Sequence, residues 1–286
     1  MSRQTNLQSF IEAGVLGSIS SGLSTFALYP LDFLKTSLQL SQVGKKSLPD
    51  SSLFSEAVSL AKTTFEKDGI SGFYVGLTPN VVYIMTSWGT FFALNDYFAE
   101  KFKDMKYGNI LANIIAGMIN VVLTNPLSVI STFVIAQKRS KHPENLSLLS
   151  AAKKIYERDG LHGFYKGLGV SLVLVINPVI NFALMRFLTK VIKRYTKRDH
   201  LRNRENFAVA SISKLLATLA TYPYTTIKVN QQGKHKEKKI IELVFIIYIM
   251  HGFKGLYSGI GPKLLHTVLQ FGVLHLLNEK MKKMIR

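Results

Sequence analysis

Six long apolar stretches, almost free of charged residues, follow one another along the chain. Each reaches the about 20 residues that an α-helix needs to cross the hydrocarbon core of a bilayer. Within each consecutive pair lies a short amphipathic segment, near 53–67, 147–158 and 238–250. The pattern therefore predicts an all-α membrane protein with six transmembrane helices and three short helices parallel to the membrane. The spans cover roughly residues 7–39, 77–99, 107–137, 167–189, 205–232 and 260–279.

A three-fold internal repeat organises these spans. A Tyr-Pro or Asn-Pro step lies near the end of every odd span, and the three prolines are 96 and 97 residues apart. A Gly-x-Tyr-x-Gly turn follows each step, at residues 72–76, 163–167 and 255–259. We therefore predict three pseudo-symmetric repeats, roughly 7–100, 107–190 and 205–286, in a single transmembrane domain over 1–286. Because proline removes a backbone donor and clashes with the preceding turn, we expect helix kinks at Pro30, Pro126 and Pro223.

The charge pattern excludes a soluble nucleic-acid binder. The chain has 36 Lys and Arg against 17 Asp and Glu, and 30 of the 36 basic residues lie between or after the apolar spans rather than along one groove. The basic residues are divided almost equally between the two sides, so the positive-inside rule does not choose an orientation. No metal-ligand cluster, nucleophile constellation or acid-base dyad is evident, and we predict neither an enzyme nor a metal site.

Charged residues inside a membrane span are costly and usually face a cavity, so two of them are candidate substrate ligands. Lys214 lies eleven residues, or about three helical turns, before Thr225 and therefore shares a helix face with it. A lysine near the middle of the bilayer is suited to binding phosphate. Arg186 is suited to gripping a phosphate with two parallel hydrogen bonds, or to pairing with Asp96 or Glu279.

Polar and aromatic residues in the spans complete the candidate site. Asn177 and Asn181 are one turn apart, and their amides suit either recognition of a base edge or hydrogen bonding between helices. We expect hydroxyl or stacking contacts from Thr25, Ser87 and Phe91. Trp88, the single tryptophan, is suited either to the same stacking or, by a slight preference, to packing against lipid.

The segment Pro30-Leu31-Asp32-Phe33-Leu34-Lys35, the three repeats and the glycine turns together resemble the mitochondrial carrier family. The resemblance covers the whole chain. It implies alternating access to a site midway through the membrane, in a protein that functions as a monomer. It also implies a substrate contact at Thr267, with Lys263 one turn away, where it steers anions or reaches the membrane surface.

In that family, acids and bases of the signature pair between repeats and close a gate. Here the resemblance assigns these positions to Asp32 and Lys35, Ser128 and Ser131, and Thr225 and Lys228. The family's pairing sets Asp32 against Ser131, Ser128 against Lys228 and Thr225 against Lys35, so no complete ion pair is expected. Bracing glutamines match Gln39 and Gln232. In the opposite gate, Asp96 and Arg186 lack their partners and only Glu279 with Lys282 is complete.

A weak second signature, the Asn177-Pro178 step and the lysine in span five resemble most closely the peroxisomal branch of this family. That likeness implies exchange of phosphate-bearing cofactors, chiefly the adenine nucleotides ATP and AMP, with coenzyme A, NAD and FAD as related cargo. It places the chain in the peroxisomal membrane, in contact with lipid and without nucleic-acid partners. Two alternatives stay open: a structural subunit of a membrane complex that has lost transport, and a mitochondrial inner-membrane carrier for another small anion.

Overall fold

The computed structural model describes residues 24–41, 53–105, 107–138, 146–198, 200–233 and 240–270. They form ten α-helices, and no strand occurs among these residues. The helices are α1 (24–41), α2 (Leu53–Asp68), α3 (Leu77–Lys101), α4 (Gly108–Lys138), α5 (Leu148–Asp159), α6 (Leu168–Leu174), α7 (Ile176–Thr196), α8 (Asn203–Gly233), α9 (Ile240–Leu256) and α10 (260–270).

The helices follow the six predicted spans. Spans one to three correspond to α1, α3 and α4, and spans five and six to α8 and α10. Span four is divided at Val175 into α6 and α7, two residues before Asn177. Three helical segments of the described residues are long and apolar enough to cross a membrane: Gly108–Lys138, Leu161–Thr196 and Ile240–Gln270. The shorter helices α2, α5 and α9 occupy the positions predicted for the membrane-parallel helices.

The backbone repeats as closely as the sequence does. Gly69, Gly160 and Gly252 precede the three aromatic turns with φ of 61°, 61° and 62° and ψ of −154°, −156° and −159°. The glycine that ends each turn is left-handed, with φ of 81° at Gly76 and 71° at Gly167. A side chain is disfavoured in that conformation, which explains why a glycine recurs at this position.

Direct hydrogen bonds join the two repeated motifs to each other. The residue before each proline donates to a carbonyl of the aromatic turn in its own repeat. Tyr29 Oη donates to Val75 O at 2.9 Å, and Tyr222 Oη donates to Ser258 O at 2.9 Å. Asn125 Nδ2 makes the equivalent bond, to Lys166 O at 3.3 Å, and also donates to Phe164 O at 2.9 Å. Each odd helix is therefore fastened to its own turn beside the proline.

The odd helices converge at their C-terminal ends. A buried apolar cluster joins Phe33 and Leu40 of α1, Ile135 and Ala136 of α4 and Val229 of α8. Gly233, at the end of α8, lies so close to its neighbours that an added Cβ would stand 2.2 Å from Leu40 Cδ2. This contact closes one end of the bundle. Pro126 and Pro223 lie inside continuous helices, and the kinks at the three prolines stay predictions.

Candidate functional site

A cavity of about 500 Å³, called here the main cavity, lies between α3, α4, α7 and α8. Its size falls within the range of about 300–1,000 Å³ that is typical of small-molecule sites. Lys214 and Lys228 line it from α8. Aromatic and amide side chains line other parts, from Trp88, Phe91, Asn113, Asn120, Asn181 and Phe182. The main cavity thus combines cationic, amide and aromatic groups.

Lys214 is held in place by Asn177. The Lys214 ammonium donates to Asn177 Oδ1 at 3.1 Å. Asn177 Nδ2 in turn donates to Thr221 Oγ1 at 2.7 Å and to Ala217 O at 3.1 Å, both on α8. The Asn177 amide is therefore occupied by α8, which matches the helix-helix alternative rather than recognition of a base. Lys214 itself lines the main cavity, and its role as a ligand stays a prediction.

Asn181 differs from Asn177 because its acceptor is free. Its Oδ1 is buried and has no hydrogen-bond partner among the described residues, and the side chain lines the main cavity. Trp88 and Phe91 line the same cavity and meet edge to face, with ring centroids 6.3 Å apart. Trp88 is also 47% exposed, so both alternatives, stacking in the cavity and packing against lipid, stay open. Helical spacing alone did not fix which side of α3 faces the cavity.

A second cavity of about 260 Å³, called here the gate cavity, lies toward the closed end of the bundle. Tyr83 and Lys228 line both cavities, so the two adjoin. The predicted gate residues meet around it: Asp32, Lys35, Ser128, Ser131, Thr225, Lys228 and Gln232, together with Lys263.

Hydrogen bonds between the odd helices close the gate. Gln232 Oε1 accepts from Thr132 Oγ1 at 3.1 Å and from Ser128 Oγ at 3.4 Å, which joins α8 to α4. Gln39 Nε2 donates to Thr226 Oγ1 at 3.3 Å and joins α1 to α8. Both glutamine side chains are fully buried. They occupy the bracing positions that the family resemblance implies.

Asp32 has a partner that the sequence did not predict. Its Oδ2 lies 3.2 Å from Nε2 of the buried His266 on α10, an ion pair when the imidazole is protonated. Ser131, which the family's pairing sets against Asp32, donates instead to Asn80 Oδ1 at 3.4 Å. This contact lies outside the family's pairing scheme, and the expectation that the signature positions form no complete ion pair stays a prediction. The partner comes from an even span, whereas the signature pairs only odd ones.

The remaining candidates differ in where they lie relative to the two cavities. Arg186 is exposed and lines a side cavity of about 270 Å³ between α4 and α7, which shares Asn113 and Phe182 with the main cavity. Ser87 lines the main cavity and accepts a hydrogen bond from Asn120 at 3.0 Å. Thr25 and Thr267 are buried but line neither cavity, Asp96 is exposed, and Glu279 and Lys282 lie outside the described residues.

Sequence reasoning missed several residues that hold the gate. Asn230 Nδ2 donates to Gln39 O at 2.9 Å, and Ser258 Oγ donates to Leu38 O at 3.1 Å. Thr132 was also missed, although it lies one turn after Ser128 on the same helix face. That spacing was a usable signal for Thr132. Ser258 carried none, because it lies in a turn rather than in a span.

Comparisons with known proteins agree with this architecture. The family model "Mitochondrial carrier protein" matches three times, at residues 6–106, 103–196 and 199–286. The peroxisomal adenine nucleotide transporter 1 of Saccharomyces cerevisiae is 27% identical, over 96% of this chain and 92% of its own. The chloroplastic nicotinamide adenine dinucleotide transporter 1 of Arabidopsis thaliana is 27% identical, over 88% and 84%. The peroxisomal membrane protein PMP34 of Mus musculus is 26% identical, over 98% and 95%. With three matches that together span almost the whole sequence, the chain belongs to the mitochondrial carrier family.

Proposed function

We propose that this protein is a multi-pass membrane carrier that exchanges adenine nucleotides and related phosphate-bearing cofactors by alternating access. One observation carries the proposal: aromatic, amide and lysine side chains line a single cavity. A nucleotide carries groups that suit all three, a flat base with donors and acceptors and an anionic phosphate chain.

The aromatic and amide part suits adenine. Trp88 and Phe91 offer ring surfaces, and planar bases stack on such surfaces with about 1–3 kcal/mol each. The unpartnered Oδ1 of Asn181 is an acceptor, and the exocyclic amine of adenine is a donor. Lys214 and Lys228 supply charge-assisted hydrogen bonds for phosphate oxygens. Both ends of the cargo therefore have chemical partners within one cavity.

The gate supports alternating access. At the convergent end, Gln39 and Gln232 close the bundle through neutral hydrogen bonds, which are individually weak at about 0.5–1.5 kcal/mol. Substrate contacts made in only one state are sufficient to shift such an equilibrium. A gate of this kind is able to open and close without breaking a network of strong ion pairs.

The names of the relatives support the same cargo class. One is named for adenine nucleotides and another for nicotinamide adenine dinucleotide, and both kinds of molecule contain adenine and phosphate. Two of the three relatives are named as peroxisomal, so we place this protein in the peroxisomal membrane, with the mitochondrial inner membrane as the alternative. Imaging a fluorescently tagged chain beside markers of both organelles tests the location.

Exchange by the reconstituted full-length protein tests the function. Vesicles loaded with ATP are expected to take up labelled ATP, AMP, coenzyme A or NAD in exchange, and to take up labelled malate no faster than empty vesicles. Lys193 is exposed at the end of α7, and its variant Lys193→Ala serves as the matched control for lysine variants of the main cavity such as Lys214→Ala. Uptake of malate alone would favour a carrier for other anions. Uptake of none of these, with stable co-purification in a large assembly, would favour a structural subunit.

A further inference from the structure

The gate cavity is lined by more positive than negative charge. Lys35 of α1, Lys228 of α8 and Lys263 of α10 all line it. Asp32 is the only carboxylate among its described lining residues, and that carboxylate lies 3.2 Å from His266. Three ammonium groups therefore share a cavity whose one acid already has a partner.

The counter-charge for these ammonium groups within the described part of the chain is Asp32 alone, which attracts Lys35 and Lys263. None of the three makes an ion pair or a side-chain hydrogen bond to a described residue, and Lys228 and Lys263 both repel Lys35 electrostatically. Like charges withdrawn from water into a protein are unfavourable unless an opposite charge joins them. The gate cavity is thus prepared for an anion.

The donors that remain available in the cavity are mainly the ammonium groups. The hydroxyl of Ser131 donates to Asn80, that of Thr132 to Gln232 and that of Tyr29 to Val75. Each lysine carries three N–H donors and no acceptor. A ligand that satisfies them needs several acceptor oxygens and more than one negative charge, which describes phosphate, pyrophosphate or a polyphosphate chain.

The gate cavity is within reach of a nucleotide in the main cavity. Tyr83 and Lys228 line both cavities, and Lys263 acts electrostatically on Lys214 in the main cavity as well as on Lys35 in the gate cavity. The positive charge of the main cavity and that of the gate cavity therefore adjoin at Lys228. The gate cavity itself, at about 260 Å³, is large enough for a few phosphate groups rather than for a second nucleotide.

We infer that the gate cavity is a phosphate subsite, in which Lys35, Lys228 and Lys263 bind the terminal phosphates of the cargo. This inference rests on the proposed function for its cargo, but the anion site itself does not. The bound phosphate supplies the negative charge that the cavity's own side chains lack. Since the lysines come from α1, α8 and α10, it also joins the first repeat to the third and stabilises the closed gate.

Thermal unfolding of the purified full-length protein tests the subsite, with pyrophosphate as the probe. Pyrophosphate is expected to raise the Tm, whereas sodium chloride at the same ionic strength is not. Lys35→Gln and Lys228→Gln are each expected to weaken the Kd for pyrophosphate about ten-fold or more, the loss typical of one charge-assisted hydrogen bond. Lys193→Gln, an exposed lysine outside both cavities, is expected to keep the wild-type Kd. An unchanged Kd in both gate variants would overturn the inference.

A variant that adds a carboxylate guards against loss of folding in the lysine variants. Thr225 lines the gate cavity three residues before Lys228 on the same helix, so Thr225→Asp places an acid among the lysines. The variant without ligand is expected to unfold at a higher temperature than wild type, while its Kd for pyrophosphate weakens about ten-fold. Protection by pyrophosphate equal to that of wild type would contradict the inference.

The two proposals fail in different ways. If pyrophosphate protects the protein through Lys35 and Lys228 while no nucleotide is exchanged, the anion site stands and the proposed function falls. If nucleotides are exchanged while pyrophosphate gives no protection, the function stands and the subsite falls. A comparison of AMP with ATP tests the two proposals together. ATP is expected to raise the Tm more than AMP does, and this difference is expected to disappear in Lys35→Gln.

Discussion

The hydrogen bonds of Gln232 allow the strength of the gate to be calculated and tested. Gln232→Leu replaces the amide side chain by an apolar one of similar size. It thereby removes the oxygen that accepts hydrogen bonds from Ser128 and Thr132. Each neutral hydrogen bond contributes about 0.5–1.5 kcal/mol, so the loss is about 2 kcal/mol against the closed state. Since 1.4 kcal/mol is a factor of ten, the open gate is expected to gain about 30-fold in population relative to the closed gate. The third repeat would then hold α4 only through apolar packing.

Cysteine labelling measures this change directly, because the chain contains no cysteine. A single cysteine at Thr36, which lines the gate cavity, reacts with a membrane-impermeant maleimide only when the gate is open. In reconstituted vesicles, the labelling rate from the gate side is expected to rise about 30-fold in Gln232→Leu. The matched control is Gln231→Leu, because the neighbouring Gln231 has no hydrogen bond to a described residue. Equal labelling rates in the two variants would refute the assignment of Gln232 as a brace.

Further predictions concern the cargo site, a turn and a surface ion pair. Lys214→Ala is expected to lower the rate of nucleotide exchange about 10- to 100-fold, and Asn177→Ala to lower it about ten-fold by releasing Lys214; unchanged exchange in both would contradict their roles. Gly76→Ala is expected to lower the free energy of unfolding by about 1–2 kcal/mol, because Gly76 has a φ of 81° and an added Cβ would meet two side-chain atoms at 3.0 Å. Gly89→Ala, in the middle of α3 with no atom within 4 Å of an added Cβ, is expected to be neutral or stabilising when both are compared by thermal unfolding in detergent. Asp68→Asn removes a partly exposed ion pair and is expected to change stability by less than about 1 kcal/mol in the same assay.

The repeats were predictable from the sequence because both motifs have local physical requirements. The turn needs a left-handed glycine at Gly76, and the odd helix needs a donor beside its proline to reach the turn's carbonyl, as Tyr29 does for Val75. These requirements recur in every repeat, so the residues recur at the same spacing. Their mutual contact explains why the two motifs recur together in every repeat, although the proline and the first glycine of the turn lie 42, 37 and 32 residues apart.

The partners across the gate were not predictable in the same way. Helical periodicity places residues on faces of one helix but carries no information on which neighbouring helix meets that face. The pairing of Asp32 was inferred from a scheme that involves only odd spans, whereas its partner His266 lies on α10. The role of Asn177 was left open for the same reason. Its Nδ2 donates to Thr221 and its Oδ1 accepts from Lys214. Only the packing of α7 on α8 determines these contacts.

The unequal repeats bear on coupling between cargo and gate. Two of the three signature acids are replaced by Ser128 and Thr225, while Lys35 and Lys228 are retained. We therefore expect closing of the gate to gather three lysines around one acid, Asp32, so that the excess repulsion opposes closure in the unloaded carrier. A bound phosphate chain reverses the balance, because it turns the repulsion into attraction toward a shared anion. On this reasoning the carrier changes sides readily only with cargo bound, which is the physical condition for exchange rather than net release.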